Sequence, residues 1–534
     1  MLLTEITTLI KTDIRLELSY GEADVRGAVA ARLGFPEGEI SEVRILKRTL
    51  NIKDKTDPHY TASVAFSVSP EREAGLLKMK KKVAIAPELS LDIPKVEVKK
   101  RPVIVGAGPA GLFSALAFAE AGARPIVIER GLDVESRKKS VERFIKEGVL
   151  DTESNVQFGE GGAGAFSDGK LKYGAIDEYK MKVLTEFVLA GADESVTYSD
   201  SAHLGTDKLP SIIKNIREKA ISFGAEFIFS ARLTKIETEN GRVVRAVYEK
   251  HGDTHSVDTD TVVLATGHSA RDVFEMLLES GAELLPRPFG IGVRVEHPRE
   301  YINELVFGAG YDKRLPTASY HLVTHLPSGR SVYSFCMCPG GTVVAAASTD
   351  GRVVTNGMSE YARDGENSNS ALLVSVTPED FPSEHPLAGL DLQRAIEERA
   401  FAIGGKTFSA PAERMSSFMN KAEPDAPDGA SYPRGVVPAK MDDVLPKFIT
   451  DSLREAIIDF DKWMPGFYYP DAVLTAPETR STSPVRVVRG GDFSARGISG
   501  LYPVGEGAGY SGGIVSSAVD GLRCALSILA KKYS

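Results

Sequence analysis

The stretch that most restricts this chain spans residues 101–129 and reads RPVIVGAGPAGLFSALAFAEAGARPIVIE. Its first apolar run, Val103, Ile104 and Val105, has the length and character of a buried parallel strand. Gly106, Gly108 and Gly111 follow with the spacing G-x-G-x-x-G, and the helix opened by Pro109 and Ala110 ends near Gly122. A second apolar run, 125–128, stops at an acid, Glu129. Each part has a mechanical reason. Gly106 permits a tight turn out of the strand, Gly108 lets the backbone approach a pyrophosphate, and Gly111 lets helix and strand pack closely. The pyrophosphate then meets the free N–H groups of a helix N-terminus. Glu129 can accept from a ribose hydroxyl, which favours an adenosine without a 2′-phosphate. Glycine spacing alone recurs in ordinary turns. Strand, helix, second strand and terminal acid in one register point to a bound dinucleotide.

At 534 residues the chain has room for several domains, each with its own core. Its net charge of −9 argues against general affinity for nucleic acid or anionic membrane. Three cysteines, a start without a basic n-region, and no apolar run long enough to cross a bilayer lead us to expect a soluble, cytoplasmic protein.

Residues 1–70 have a β-α-β-β pattern, a small α+β unit of ferredoxin-like type. Arg44, Lys47, Arg48, Lys53 and Lys55 form either a basic face or a plain solvated surface. Residues 71–100, with the run Lys78, Met79, Lys80, Lys81, Lys82 and a proline-punctuated tail, look like a linker. Past the nucleotide stretch, a second glycine cluster occupies 159–171, reading GEGGAGAFSDGKL. So many glycines make either a flexible surface loop or a close approach of backbone to a ligand, at Gly162 and Gly164; Phe166, Ser167, Asp168 and Lys170 add binding chemistry that a plain loop does not need. A meander is expected over 231–257, then a buried strand ending in Ala265, Thr266 and Gly267. Between 285 and 483 the strand–helix alternation is lost, which suggests an inserted α+β domain closing over substrate. The end of the chain returns to glycine: 500–513 reads GLYPVGEGAGYSGG, followed from Ile514 by an apolar helix. There Glu506 after Gly505 can bind a polyol hydroxyl, and a helix N-terminus can stabilise negative charge on a reduced ring.

Together, G-A-G-P-A-G…E, A-T-G and V-G-E-G-A-G…G-G-I resemble FAD-dependent flavoproteins of the glutathione-reductase type, in the branch whose nucleotide-binding domain is interrupted by a substrate domain. The stretches E-G-G-A-G-A-F-S-D-G-K-L, S-F-C-M-C-P-G-G, V-T-N-G-M-S and E-T-R-S-T-S-P-V-R further resemble a bacterial family of FAD-dependent, NAD(FAD)-utilising dehydrogenases over about residues 100–534. The resemblance implies an α/β fold: an FAD-binding Rossmann domain in two parts, 101–284 and 484–534, with a substrate domain at 285–483. It implies that the first glycine motif, Glu129 and Arg130 hold the adenosine diphosphate, with Leu233 beside the adenine. Ala265, Thr266 and Gly267 would turn beneath the nucleotide. Gly505, Glu506, Gly512, Gly513 and Ile514 would follow the ribityl chain and ring. Glu506 stands where aspartate is common in such relatives, and either acid accepts from a hydroxyl.

A bound flavin carries the redox chemistry, so no nucleophilic triad is required. His297 is either an acid–base group near the ring or a structural histidine before Pro298. Arg480 is either a ligand for a substrate carboxylate or the flavin edge, or a salt-bridged core arginine. Lys170 is open in the same way, with a tilt to function. Cys336 and Cys338, one residue apart, are a strained spacing for a disulfide and fit small buried hydrophobes better. No metal site is expected. The functional expectation is an FAD-dependent oxidoreductase acting on an unidentified small molecule, with NAD(P)H or a partner protein as transient electron donor. Two rivals are an NAD-binding dehydrogenase without flavin, and a flavin-bearing adaptor that binds RNA or protein through residues 1–100 without turnover.

Overall fold

The computed structural model describes residues 9–79, 82–171, 174, 176–425 and 427–532. At its centre is a five-stranded parallel sheet in the order Leu501–Pro503, Val262–Leu264, Val103–Val105, Ile126–Ile128, Glu226–Ile228. The inner three strands are valine, isoleucine and leucine only, and all of their residues are buried. Numbered along the chain the order is 5-4-1-2-3, so winding reverses between the first and fourth strands. Ligands of such sheets lie at the carboxyl ends of the strands beside that reversal.

One face of the sheet is covered by helices Pro109–Glu120 and Ile514–Lys532, which come from opposite ends of the domain. Their contact is close enough to require glycine: a Cβ on Gly521 would lie 2.0 Å from the Ala110 carbonyl oxygen. Ser114 locks the pair: its single hydroxyl hydrogen is shared between the carbonyls of Ala110 and Gly521, at 2.8 and 2.9 Å. A three-stranded meander, Ala231–Glu239, Arg242–Lys250 and Asp253–Asp258, lies beside the sheet.

A second sheet has seven strands, in the order Val323–His325, Ser331–Cys338, Asn367–Val376, Phe289–Pro298, Val473–Glu478, Ala410–Arg414, Val436–Pro438. Helices Ala388–Ile403 and Lys447–Trp463 share its apolar core. The two passages of chain between the sheets run side by side, since Leu284–Pro286 pairs antiparallel with Val485–Val487.

The N-terminal unit is larger than its pattern suggests. Strands Ile10–Leu16, Glu42–Asn51 and His59–Ser67 with helix Glu22–Leu33 are joined by helix Pro70–Leu77 and the short strand Ala84–Ile85, which pairs with the first strand. Residues 71–85 therefore complete a split β-α-β sheet and are not linker; Lys80 and Lys81 lie outside the described residues. Leu76 and Val83 are buried in this unit's core. The candidate basic face is also divided. Arg48 sits over the rings of Tyr60 and Tyr198, at 4.7 and 5.4 Å, fastening the unit to the nucleotide-type domain. Lys55 reaches the Leu305 carbonyl.

Candidate cofactor-binding site

The three glycine-marked segments meet at the reversal point. Gly106 turns at φ +100°, and a Cβ there would lie 2.4 Å from the Ala265 carbonyl oxygen. A Cβ on Gly111 would lie 1.8 Å from the Gly106 carbonyl oxygen, so helix and turn touch backbone to backbone. The C-terminal segment crosses above: a Cβ on Gly507 would meet the Gly267 carbonyl at 2.3 Å, and one on Gly505 the Ala110 Cβ at 2.9 Å.

The second glycine cluster is tied down. Gly161 N–H donates to the Ala107 carbonyl at 2.8 Å. Fully buried Arg137 donates to the carbonyls of Asn155, Val156, Gly159 and Glu160. Burial pushes its guanidinium down to about 10, offset by Glu129 and Glu160, and it remains a cation. Glu129 completes the knot, its two oxygens accepting from the N–H groups of Ala107, Gly131 and Gly159 at 2.7, 2.9 and 3.0 Å. A carboxylate has about four acceptor positions, so one remains for a hydroxyl. Sequence reading missed Arg137 because a charged residue in a charged helix gives no sign of its burial.

One cavity is lined by Gly106, Gly108, Pro109, Ala110, Glu129, Arg130, Gly162, Gly164, Lys170, Leu233, Ala265, Thr266, Gly267, Arg480, Gly505, Glu506, Gly512, Gly513 and Ile514. Of the residues singled out from sequence, Gly111 lies behind this wall as a packing contact, Phe166 packs against Arg137 at 4.8 Å, and His297 is elsewhere. His297 corrects the acid–base expectation. It is buried among Phe467, Tyr301 and Tyr469, with Nε2 3.0 Å from the Phe467 carbonyl, and burial pushes its imidazolium down to about 4. It is a neutral core histidine that does not reach the cavity.

Arg480 reaches the cavity but is already engaged. It meets Glu397 at 3.0 Å through two nitrogens and donates to Ser348 at 2.6 Å, while Arg271 shares the same carboxylate. These two arginines, after burial itself, push His268 down to about 4. His268 lines the cavity as a neutral imidazole, a candidate that lay unread one residue past Ala-Thr-Gly. Cys336 and Cys338 are free thiols. The surface of Cys336 opens onto the cavity, while the protein around its sulfur pushes the thiol up to about 12. Cys338 is buried, its Sγ 3.7 Å from an Arg294 nitrogen, and burial raises it too.

Two observations test whether FAD suits this cavity. Helix Pro109–Glu120 begins at Gly108 with no side-chain cap, leaving N–H groups and the positive end of the dipole facing the cavity. At the other end, the part-buried Glu506 carboxylate accepts no hydrogen bond among the described residues. An open anion site and an unpartnered acceptor, with the cleared glycines 106, 108 and 162 between the walls, fit a pyrophosphate joined to a polyol.

Comparison with known proteins agrees with the chemistry of the cavity. Residues 100–285 match the family model described as pyridine nucleotide-disulphide oxidoreductase, and residues 288–481 match FAD-dependent protein, C-terminal domain-like. A Clostridium beijerinckii protein named only as uncharacterized is 43% identical over 515 residues, 94% of this chain and 95% of that one. Three solved structures are distantly similar. A flavoprotein/dehydrogenase from Cytophaga hutchinsonii is 10% identical, covering 81% of this chain and 79% of that chain at a TM-score of 0.37. A flavin-dependent brominase mutant is 12% identical, covering 82% and 81% at 0.36. E. coli quinol fumarate reductase is 15% identical, covering 82% and 71% at 0.35. Scores this low carry no argument. The identity with the Clostridium protein along nearly the whole chain does: the two proteins belong to one family, and the two family models that match this chain mark that family as one of FAD-dependent oxidoreductases.

Proposed function

We propose that the chain is a dehydrogenase of glutathione-reductase-type arrangement, holding one FAD and oxidising or reducing a small molecule in the chamber between its two large sheets. The observation that carries this reading is the meeting of three distant glycine segments on one cavity with an uncapped helix N-terminus and an unpartnered carboxylate. The N–H groups behind Gly108 would hold the pyrophosphate, Glu129 a ribose hydroxyl, and Glu506 a ribityl hydroxyl. Arg130, paired with Asp272 at 2.7 Å and stacked over Phe158 at 4.4 Å, and Leu233 would wall the adenosine end. When bound, FAD supplies the acceptance and return of electrons. The protein contributes position, exclusion of water and fixed charge. Tyr320, Phe335 and Met337 from the second domain close the chamber opposite the glycine loops. No helix among the described residues is long and apolar enough to cross a membrane, and nothing in the comparisons favours a non-catalytic adaptor.

The test is anaerobic rapid mixing of the FAD-loaded protein with NADH, NADPH and candidate small molecules. Bleaching of the visible flavin absorbance by at least one of them within the mixing experiment is expected. An FAD-loaded protein that no reductant class bleaches is not a dehydrogenase.

Glu506 gives the site a pH dependence with a definite sign. Burial pushes its carboxyl up to about 7, with Arg287 pulling the other way. Without cofactor, the contribution of this group to stability is complete below the ordinary carboxyl range and is lost as pH rises through about 7. A ribityl hydroxyl donates to the ionised form, so FAD uptake releases the proton. FAD affinity should therefore rise with pH across that range, and Glu506→Gln should flatten the rise. Fluorescence titration with FAD at a series of pH values reads both, and an unchanged slope in the variant would remove Glu506 from the site.

A further inference from the structure

Beyond the cofactor positions, the chamber has a part walled by Lys170, Tyr320, His321, Cys336 and Met337. Its charges are nearly all spoken for. Asp168 is held by two nitrogens of Arg363, at 2.9 and 2.5 Å. Glu478 is paired with Arg294 at 3.1 Å, and Arg294 also donates to Asn369 at 2.5 Å and to the Cys336 carbonyl at 2.9 Å. Among the cations lining the cavity, Arg130 has Asp272 and Arg480 has Glu397. Lys170 has no ion pair among the described residues; its ammonium donates to the Met337 carbonyl alone. Two further donor positions of an ammonium are thus unmet in a largely enclosed place, where an unmatched charge is costly. Burial lowers the hold of this ammonium on its proton, with Asp168 acting the other way, and an anion bound beside it would restore that hold.

Resting on the flavoprotein reading, we propose that the substrate carries a carboxylate held by the Lys170 ammonium. One spare cation matches a monoanion. A phosphate would call for more charge, or for an arginine fork or backbone nest, and the arginines here are committed to protein carboxylates. This assignment moves substrate recognition from Arg480, which Glu397 has already claimed, to Lys170.

The test uses the FAD-loaded full chain, titrated at constant ionic strength with acetate, succinate and benzoate, and in parallel with acetamide, succinamide and benzamide. The readout is the difference spectrum of the flavin. At least one carboxylate should give a saturable change, with its amide weaker by about ten-fold or more, as expected for loss of a charge-assisted hydrogen bond. Lys170→Met should weaken the carboxylate by a similar factor and Lys170→Arg should retain much of it, both with wild-type flavin content and unfolding temperature. Inorganic phosphate should give no saturable change. The inference is overturned if no carboxylate perturbs the flavin, if amides or phosphate bind as tightly, or if Lys170→Met changes nothing. A Lys170→Met protein that loses its flavin assigns the ammonium to the cofactor, which also overturns it. Wild-type protein that takes up no flavin is a different failure, that of the underlying reading, and is seen before any titration begins.

Discussion

Gly111→Ala is expected to purify without flavin and to unfold at a lower temperature than the wild type, whereas Gly108→Ala should lose flavin alone. The difference follows from what an added methyl meets. At Gly111 it would sit 1.8 Å from the Gly106 carbonyl oxygen, backbone that cannot give way without moving the turn. Overpacking of this kind costs about 1–3 kcal/mol or more, and it displaces the N–H groups that face the pyrophosphate. Losing two hydrogen bonds to a charged group, at about 1.5–3 kcal/mol each, weakens binding on the order of a hundred-fold or more. At Gly108 the nearest atom to the methyl is the Gly162 Cα at 3.8 Å, an ordinary contact. The fold is spared, but the methyl occupies space that the cofactor needs. Thermal unfolding of both apoproteins, with FAD titration of each, separates the two effects. Equal unfolding temperatures for the two variants would contradict this division of labour.

Glu129→Ala should be the most damaging single change that leaves the glycines intact. Its carboxylate is the acceptor for three buried backbone donors, on Ala107, Gly131 and Gly159, and so joins the first turn to the second glycine loop. A buried donor left unmet costs about 1–3 kcal/mol. Because the loops can relax together, the sum will be less than three independent losses; a total of roughly 3 kcal/mol, or a fall of about 5–10 °C in unfolding temperature, is expected. Glu129→Gln should fall between, since its amide nitrogen faces N–H donors and only its oxygen accepts. Calorimetry of the apoproteins measures this without any cofactor. An alanine variant as stable as the wild type would show that Glu129 does not hold the loops together.

Parts of this architecture can be read from residue order and parts cannot, for physical reasons. The strand–turn–helix at 101–120 is legible because each constraint there is local: β-branched residues before Gly106, no Cβ where backbone meets backbone, small residues where the C-terminal helix packs. Distant partners leave no such trace. Arg480 and Glu397 are 83 residues apart, and only the fold shows that the arginine is occupied. His297 suggested chemistry from its type, while its fate is set by aromatic residues about 170 positions later. Strand Asn367–Val376, which pairs along its whole length with Phe289–Pro298, begins N-S-N-S, so only its second half, A-L-L-V-S-V, carries an apolar signal. Its polar side chains are buried because Arg294 and the Gly340 N–H bond to them. Helix Pro70–Leu77 was hidden for the opposite reason: it is short, and the basic residues after it look like solvated linker.

We propose that segments at 106–111, 265–267 and 505–514 build a single FAD site. Its most direct measurement is cofactor stoichiometry: load the purified chain with excess FAD, remove unbound ligand, denature, and identify and count what is released. FAD is expected, in a one-to-one ratio with the chain. Protein that retains no flavin, while folded by calorimetry, would contradict it.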